Sequence, residues 1–199
     1  MRRFGWVALS LSALLLPCVA QAASARPAVA RMAHEVARTA PARRVSEVKG
    51  PYYVDFRART AASWGHAFVW YGKSSEKAVD VAGLTPAGDE LAYVLGYFTF
   101  VPSETGASYG DLDPDYVTAS YRVYLNEVDA KRVFAYIKKL QADSPVWNAE
   151  TANCTSFIGS IASFMGLDTP VRWTRPEEYV NRLREMNGGR QVVRLAAEQ

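Results

Sequence analysis

The sequence predicts an α+β domain in which an antiparallel sheet is packed with helices, and three observations carry that expectation. Between Tyr52 and Asn126, short runs rich in β-branched and aromatic residues alternate with turns of Gly, Pro, Ser and Asp, without the helical crossovers a parallel sheet requires. Beyond Asn126 the apolar spacing changes to the i, i+3, i+4 period of helices. Of the 199 residues 49% are hydrophobic, so a single domain of this size buries a full core without disulfide staples.

The first 22 residues stand apart from that domain. Met1, Arg2 and Arg3 precede an apolar run from Trp6 to Leu16, followed by Pro17 and Ala20-Gln21-Ala22. This is the n-region, h-region and cleavage site of an export signal. The run falls short of the roughly 20 residues that cross a bilayer. Residues 1–22 are therefore expected to be a cleaved signal peptide, which sends the mature chain to the bacterial periplasm or outside the cell. The net charge of +3 becomes about +1 once Arg2 and Arg3 are removed, leaving no excess positive charge for a nucleic-acid partner. No later run has the length of a transmembrane segment. Residues 23–49, rich in Ala and Arg and broken by Pro27 and Pro41, read as a mobile lead-in or weak helix carrying a solvated His34. The domain proper is expected over 50–199.

Five strands are expected, at YYVDFRAR (52–59), HAFVWYG (66–72), KAVDVAG (77–83), AYVLGYFTFVP (92–102) and YVTASYRVYLN (116–126). The long turn-rich loop SETGASYGDLDPD (103–115) is placed to lie over a cleft. Asn126 or Asp129 caps a helix whose apolar stripe is Val133, Phe134, Ile137 and Leu140, and Pro145 ends it. A second helix follows in NCTSFIGSIASFMG (153–166), with Phe157, Ile158, Ile161 and Met165 on its apolar face and Gly166 at its end. A third starts at Pro176 and stops at Gly188-Gly189, and QVVRL adds an edge strand.

Cysteine usage draws attention to one residue. With Cys18 removed in the signal, Cys154 is the only thiol of the mature chain, and an odd cysteine in an exported protein suggests a reactive thiol or an intermolecular bond. Cys154 follows Asn153, a good N-cap, so its sulfur meets the unsatisfied N–H groups and positive end of a helix. Both lower a thiol pKa, and the same N–H groups can hold an oxyanion. A cysteine nucleophile pairs with an imidazole, and His66 opens the strand of GHAFVWYG. If residues 72–76 form a hairpin loop, Tyr71 pairs with Lys77, Phe68 stands opposite Asp80, and Asp80 shares a face with His66 as a diagonal neighbour. Asp80 is then the carboxylate that orients the ring, with Glu104 and Asp111 of the long loop as alternatives. Trp64, Trp70, Tyr71 and Trp147 are candidates to line a cleft. One Cys and two His do not supply the ligands of a zinc site, so neither a metal nor a cofactor is expected.

Gly-His at a strand start, a polar residue on the next strand, a helix, then Asn-Cys at the start of another helix resembles the circularly permuted members of the NlpC-type cysteine peptidase superfamily, relatives of the lecithin retinol acyltransferase-like proteins. The resemblance covers roughly residues 60–186 and rests on GHAFVWYG and NCTSF, with His66 before Cys154 as in the permuted order. It implies a permuted papain-like fold, Cys154 as nucleophile, His66 as general base and acid, and Asp80 as orienting group. It also implies an exported thiol hydrolase cleaving an amide through a thioester, on a peptide or peptidoglycan-like substrate. Acyl transfer or ester cleavage on a lipid, and an inactive envelope binding module of the same fold, are the alternative readings.

Overall fold

The computed structural model describes residues 50–60 and 64–196. The expected signal peptide, the 23–49 segment and His34 lie outside the described residues. The elements in chain order are β1 (Tyr52–Arg59), β2 (His66–Lys73), β3 (Asp80–Gly83), β4 (Thr85–Pro86), α1 (Glu90–Leu95), β5 (Val101–Glu104), a 3-10 turn (Pro114–Tyr116), β6 (Val117–Leu125), α2 (Glu127–Ala142), β7 (Val146–Trp147), α3 (Cys154–Phe164) and α4 (Pro176–Met186). The main sheet is antiparallel with strand order β3-β2-β1-β6, and β4, β5 and β7 form a second, smaller antiparallel sheet. The domain is thus α+β, with antiparallel sheets packed against helices.

Alternation along β1 and β2 separates two faces. Val54, Phe56 and Ala58 of β1 and Ala67, Val69 and Tyr71 of β2 enter the core, where they meet Val133 and Ile137 of α2 and Phe157, Ile158 and Ile161 of α3. Phe134 and Leu140 complete the α2 stripe as partly buried neighbours. The other face carries Tyr53, Asp55, Arg57 and Arg59 beside Trp70, Phe68 and His66. Asp55 is buried there because Arg57, Arg122 and Ser120 all donate to it, and the Arg57 guanidinium lies 3.5 Å over the Trp70 ring.

Three expectations need correction. Residues 92–102 are not one strand: α1 forms because the Asp89 carboxylate accepts from the Leu91 and Ala92 N–H groups, and only Val101–Glu104 is extended. Aromatic content there reflected packing, since Tyr93 and Tyr97, one helical turn apart, flank the Trp147 ring. The third strand is shorter than KAVDVAG, beginning only at Asp80. Its register also differs, because Ser74 donates to the Pro51 carbonyl and extends the β1–β2 pairing to Lys73, so the chain turns back later. Tyr71 consequently pairs with Asp80, and Phe68 with Gly83. QVVRL contributes a single parallel bridge, Tyr124 to Val192.

Helix α3 carries a glycine in its buried centre for a steric reason. A methyl group on Gly159 would collide with the hydroxyl of Tyr179, which is buried on α4. Gly159→Ala is expected to destabilise the protein by about 1–3 kcal/mol despite the better helix propensity of Ala. The shift of the urea midpoint measures this, and an Ala variant as stable as the parent would show that α3 and α4 do not approach so closely.

Candidate active site

Asn153 caps α3 with all of its polar groups in use. Its Oδ1 accepts from the Ser156 N–H, its own N–H donates to the Ser156 hydroxyl, and Nδ2 donates to the Ala149 carbonyl. This reciprocal capping box fixes the first turn of the helix and hence Cys154, its first residue. Asn153 therefore serves as the N-cap of α3. The half-buried Cys154 sulfur faces the N–H groups of Ala67, Thr155 and Cys154 itself. The Ala67 contact ties the thiol to β2, next in sequence to His66.

Burial pushes the Cys154 thiol up, and those three N–H groups together with the Arg59 guanidinium pull it down without prevailing. The helix-start argument thus identifies two of the three donors, Thr155 and Cys154, while Ala67 comes from β2, and desolvation outweighs them all. His66, 4% exposed, is lowered to about 3 by burial and by Arg59. At neutral pH the Cys154 thiol and the His66 imidazole therefore both rest uncharged.

A carboxylate of the long loop approaches His66. Asp111, fully buried, brings Oδ2 to 3.8 Å from His66 Nε2. Arg59 Nε donates to Asp111 Oδ1 at 2.5 Å, the Ser108 N–H donates to Oδ2 at 2.8 Å, and Trp70 Nε1 donates to the Asp111 carbonyl at 3.0 Å. Burial pushes the Asp111 carboxyl up, while Arg59 and the Ser108 N–H pull it down. Asp80 does not reach His66: the register shift is an odd number of residues, which turns it to the opposite face, where it is solvent-exposed. The residue whose side chain would approach Nε2 from β3 is Gly83, and a Cβ there would stand 2.7 Å from it. A glycine at this position leaves the ring the room it occupies.

Cys154 and His66 line one cavity of about 500 Å³. Glu104 also lines it, as do Trp64 and Trp147 of the four aromatics expected there. Trp70 instead stacks under Arg57 and Tyr71 packs on Phe134 in the core. Sequence reasoning missed Arg59, Tyr93, Tyr97, Tyr109 and the 172–175 wall. The legible signal was Gly-Asp-Glu at 88–90, a helix start that would have placed Tyr93 and Tyr97 one turn apart. Nothing local marks Arg59. Among the described residues, no three of His, Cys, Asp and Glu converge as metal ligands. No family model matches the sequence, and no curated protein or solved structure is significantly similar to it.

Two outcomes follow from the charge states. Cys154 alkylation by iodoacetamide is expected to titrate above the ordinary thiol value of about 8.5, and a midpoint well below it would show a preformed thiolate. Because His66 stays neutral when folded but protonates near 6.5 when unfolded, its contribution to stability is complete above pH 6.5 and is lost as pH falls from 6.5 to about 3. Asp111, raised in the fold, acts with the opposite sign and remains in the comparison variant. Denaturant melts across that window should show His66→Gln losing less stability on acidification than the parent. Equal losses would contradict the burial of a neutral ring.

Proposed function

We propose that this chain is an exported thiol hydrolase of permuted papain-like arrangement that cleaves an amide through a thioester, with a cell-wall peptide as its substrate class. The observation that carries the reading is that Cys154 and His66, from two separated segments, line one cavity, with the Asp111 carboxylate of a third segment 3.8 Å from His66 Nε2. No packing requirement places a thiol at a capped helix start on the same cavity as a buried imidazole whose Nε2 lacks a hydrogen-bond partner.

In this mechanism Asp111 favours the tautomer with the proton on Nε2, which leaves Nδ1 as the base. His66 accepts the thiol proton as Cys154 Sγ attacks the carbonyl carbon, and the backbone N–H groups at the start of α3 stabilise the oxyanion. Collapse transfers that proton to the departing amine and leaves a thioester. Water, deprotonated by His66, then releases the acid and restores the thiol. Proton transfer concerted with attack suits a neutral resting pair.

Acyl transfer or ester cleavage on a lipid is favoured by a different observation. Leu91, Val94, Leu95, Phe98 and Phe100 are all exposed, Phe98 to 83%, next to Tyr93 and Tyr97 of the cavity wall. An apolar patch of this kind on a monomer marks an interaction site. Among the described residues no helix is long and apolar enough to cross a membrane.

Release of amine from soluble cell-wall peptides, set against fatty-acyl ester hydrolysis on vesicles, separates the two. Cys154→Ala is expected to lower turnover by at least ~10³-fold and His66→Ala by ~10²–10⁴-fold. Asp111→Asn should cost ~10–100-fold, and Asp80→Asn should stay within about twofold of the parent. Variants are compared only where the urea transition remains cooperative. Full turnover by a folded Cys154→Ala protein would end the mechanism.

A further inference from the structure

Two arginines on the cavity wall lack a carboxylate partner. Arg172 and Arg175 both line the cavity, and among the described residues neither guanidinium has a hydrogen bond or an ion pair. Each is instead set against an indole: Arg172 lies 4.9 Å from the Trp173 ring centre and Arg175 lies 5.2 Å from that of Trp64. Stacking of this kind restrains the guanidinium while leaving its N–H edge free for a ligand.

The backbone of this wall is fastened to the nucleophile's helix. The Thr155 hydroxyl donates to the Arg172 carbonyl, one residue after Cys154, and Trp173 Nε1 donates to the Glu150 carbonyl at 3.1 Å. A turn closed by the Thr174 N–H and hydroxyl on the Val171 carbonyl holds the segment between them. The third cationic residue of the lining, Arg59, is committed to Asp111. The acidic residues of the lining, Asp89, Glu90 and Glu104, come from a different segment, and Asp89 is occupied in capping α1. Positive charge available to a ligand is therefore concentrated at 172–175, beside Cys154.

We propose that Arg172 and Arg175 form a specificity subsite that binds a carboxylate of the substrate close to the bond Cys154 attacks. The assignment rests on the thiol-hydrolase reading and narrows its substrate to acyl donors or peptides that carry a negative charge near the scissile amide. A planar guanidinium edge matches a carboxylate through two parallel N–H···O bonds, and two such edges on one restrained wall fix where the substrate backbone runs.

The charge preference of the thiol tests this without a natural substrate. Cys154 in the mature chain is alkylated with iodoacetate, which carries a carboxylate, and with the neutral isostere iodoacetamide, and the ratio of the two rates is compared among variants. The ratio cancels changes in intrinsic thiol reactivity. Arg172→Gln/Arg175→Gln is expected to lower it by about tenfold, whereas Lys131→Gln/Lys139→Gln, which removes the same two positive charges outside the cavity lining, should not. Raising salt should erode a general field effect more than a subsite contact. A double variant with the parent's ratio would overturn the subsite while leaving the thiol-hydrolase reading intact. A folded parent in which neither reagent reaches Cys154 would overturn both.

Discussion

The ion pair between Arg59 and Asp111 joins two parts of the chain 52 residues apart, and the geometry of the site depends on it. Arg59 ends β1 and Asp111 sits in the loop before β6, so their contact draws the loop across the open face of the sheet. Both groups are buried, and a buried pair of this kind holds only when its remaining polar atoms are satisfied. Ser108 and Trp70 do so, one on the Asp111 carboxylate and one on its carbonyl. The loop is thereby held as a fixed wall that sets a carboxylate beside His66.

The same contact governs the electrostatics of the centre. Arg59 opposes protonation of His66 and favours the Cys154 thiolate, while burial keeps both groups neutral. Under the proposed mechanism a site organised this way gains from water exclusion, because charge would form only with substrate bound and the oxyanion donors engaged. Two aromatic-rich walls frame that event: Tyr93, Tyr97 and Trp147 from one set of elements, and the arginine–tryptophan segment at 172–175 from another.

Much of the fold was legible because its signals are local. β1 spans the run YYVDFRAR, and the α3 stripe of Phe157, Ile158, Ile161 and Met165 is buried throughout. Asn126 and Asn153 cap the helices that their positions in sequence suggested. Residues 92–102 misled because β-branched and aromatic content describes a residue's packing as readily as its backbone. There a single capping carboxylate, Asp89, decided for helix. The β2–β3 register misled for another reason: hairpin pairing depends on where the turn closes, and a hydrogen bond from Ser74 to Pro51 on a third segment moved that point.

The sequence by itself determined the α+β class, the order of the main elements, and the placement of Cys154 at a helix start and of His66 at a strand start. Those follow from periodicity and capping chemistry, both of which act over a few residues. Only the tertiary structure decided which carboxylate meets His66, which aromatics face the cavity and which protonation state the pair adopts. Asp80, Glu104 and Asp111 are equivalent as letters, and a register shift together with a buried ion pair separates them. The charge state turns on desolvation, which exists only once the core and the loop have closed around the thiol and the ring.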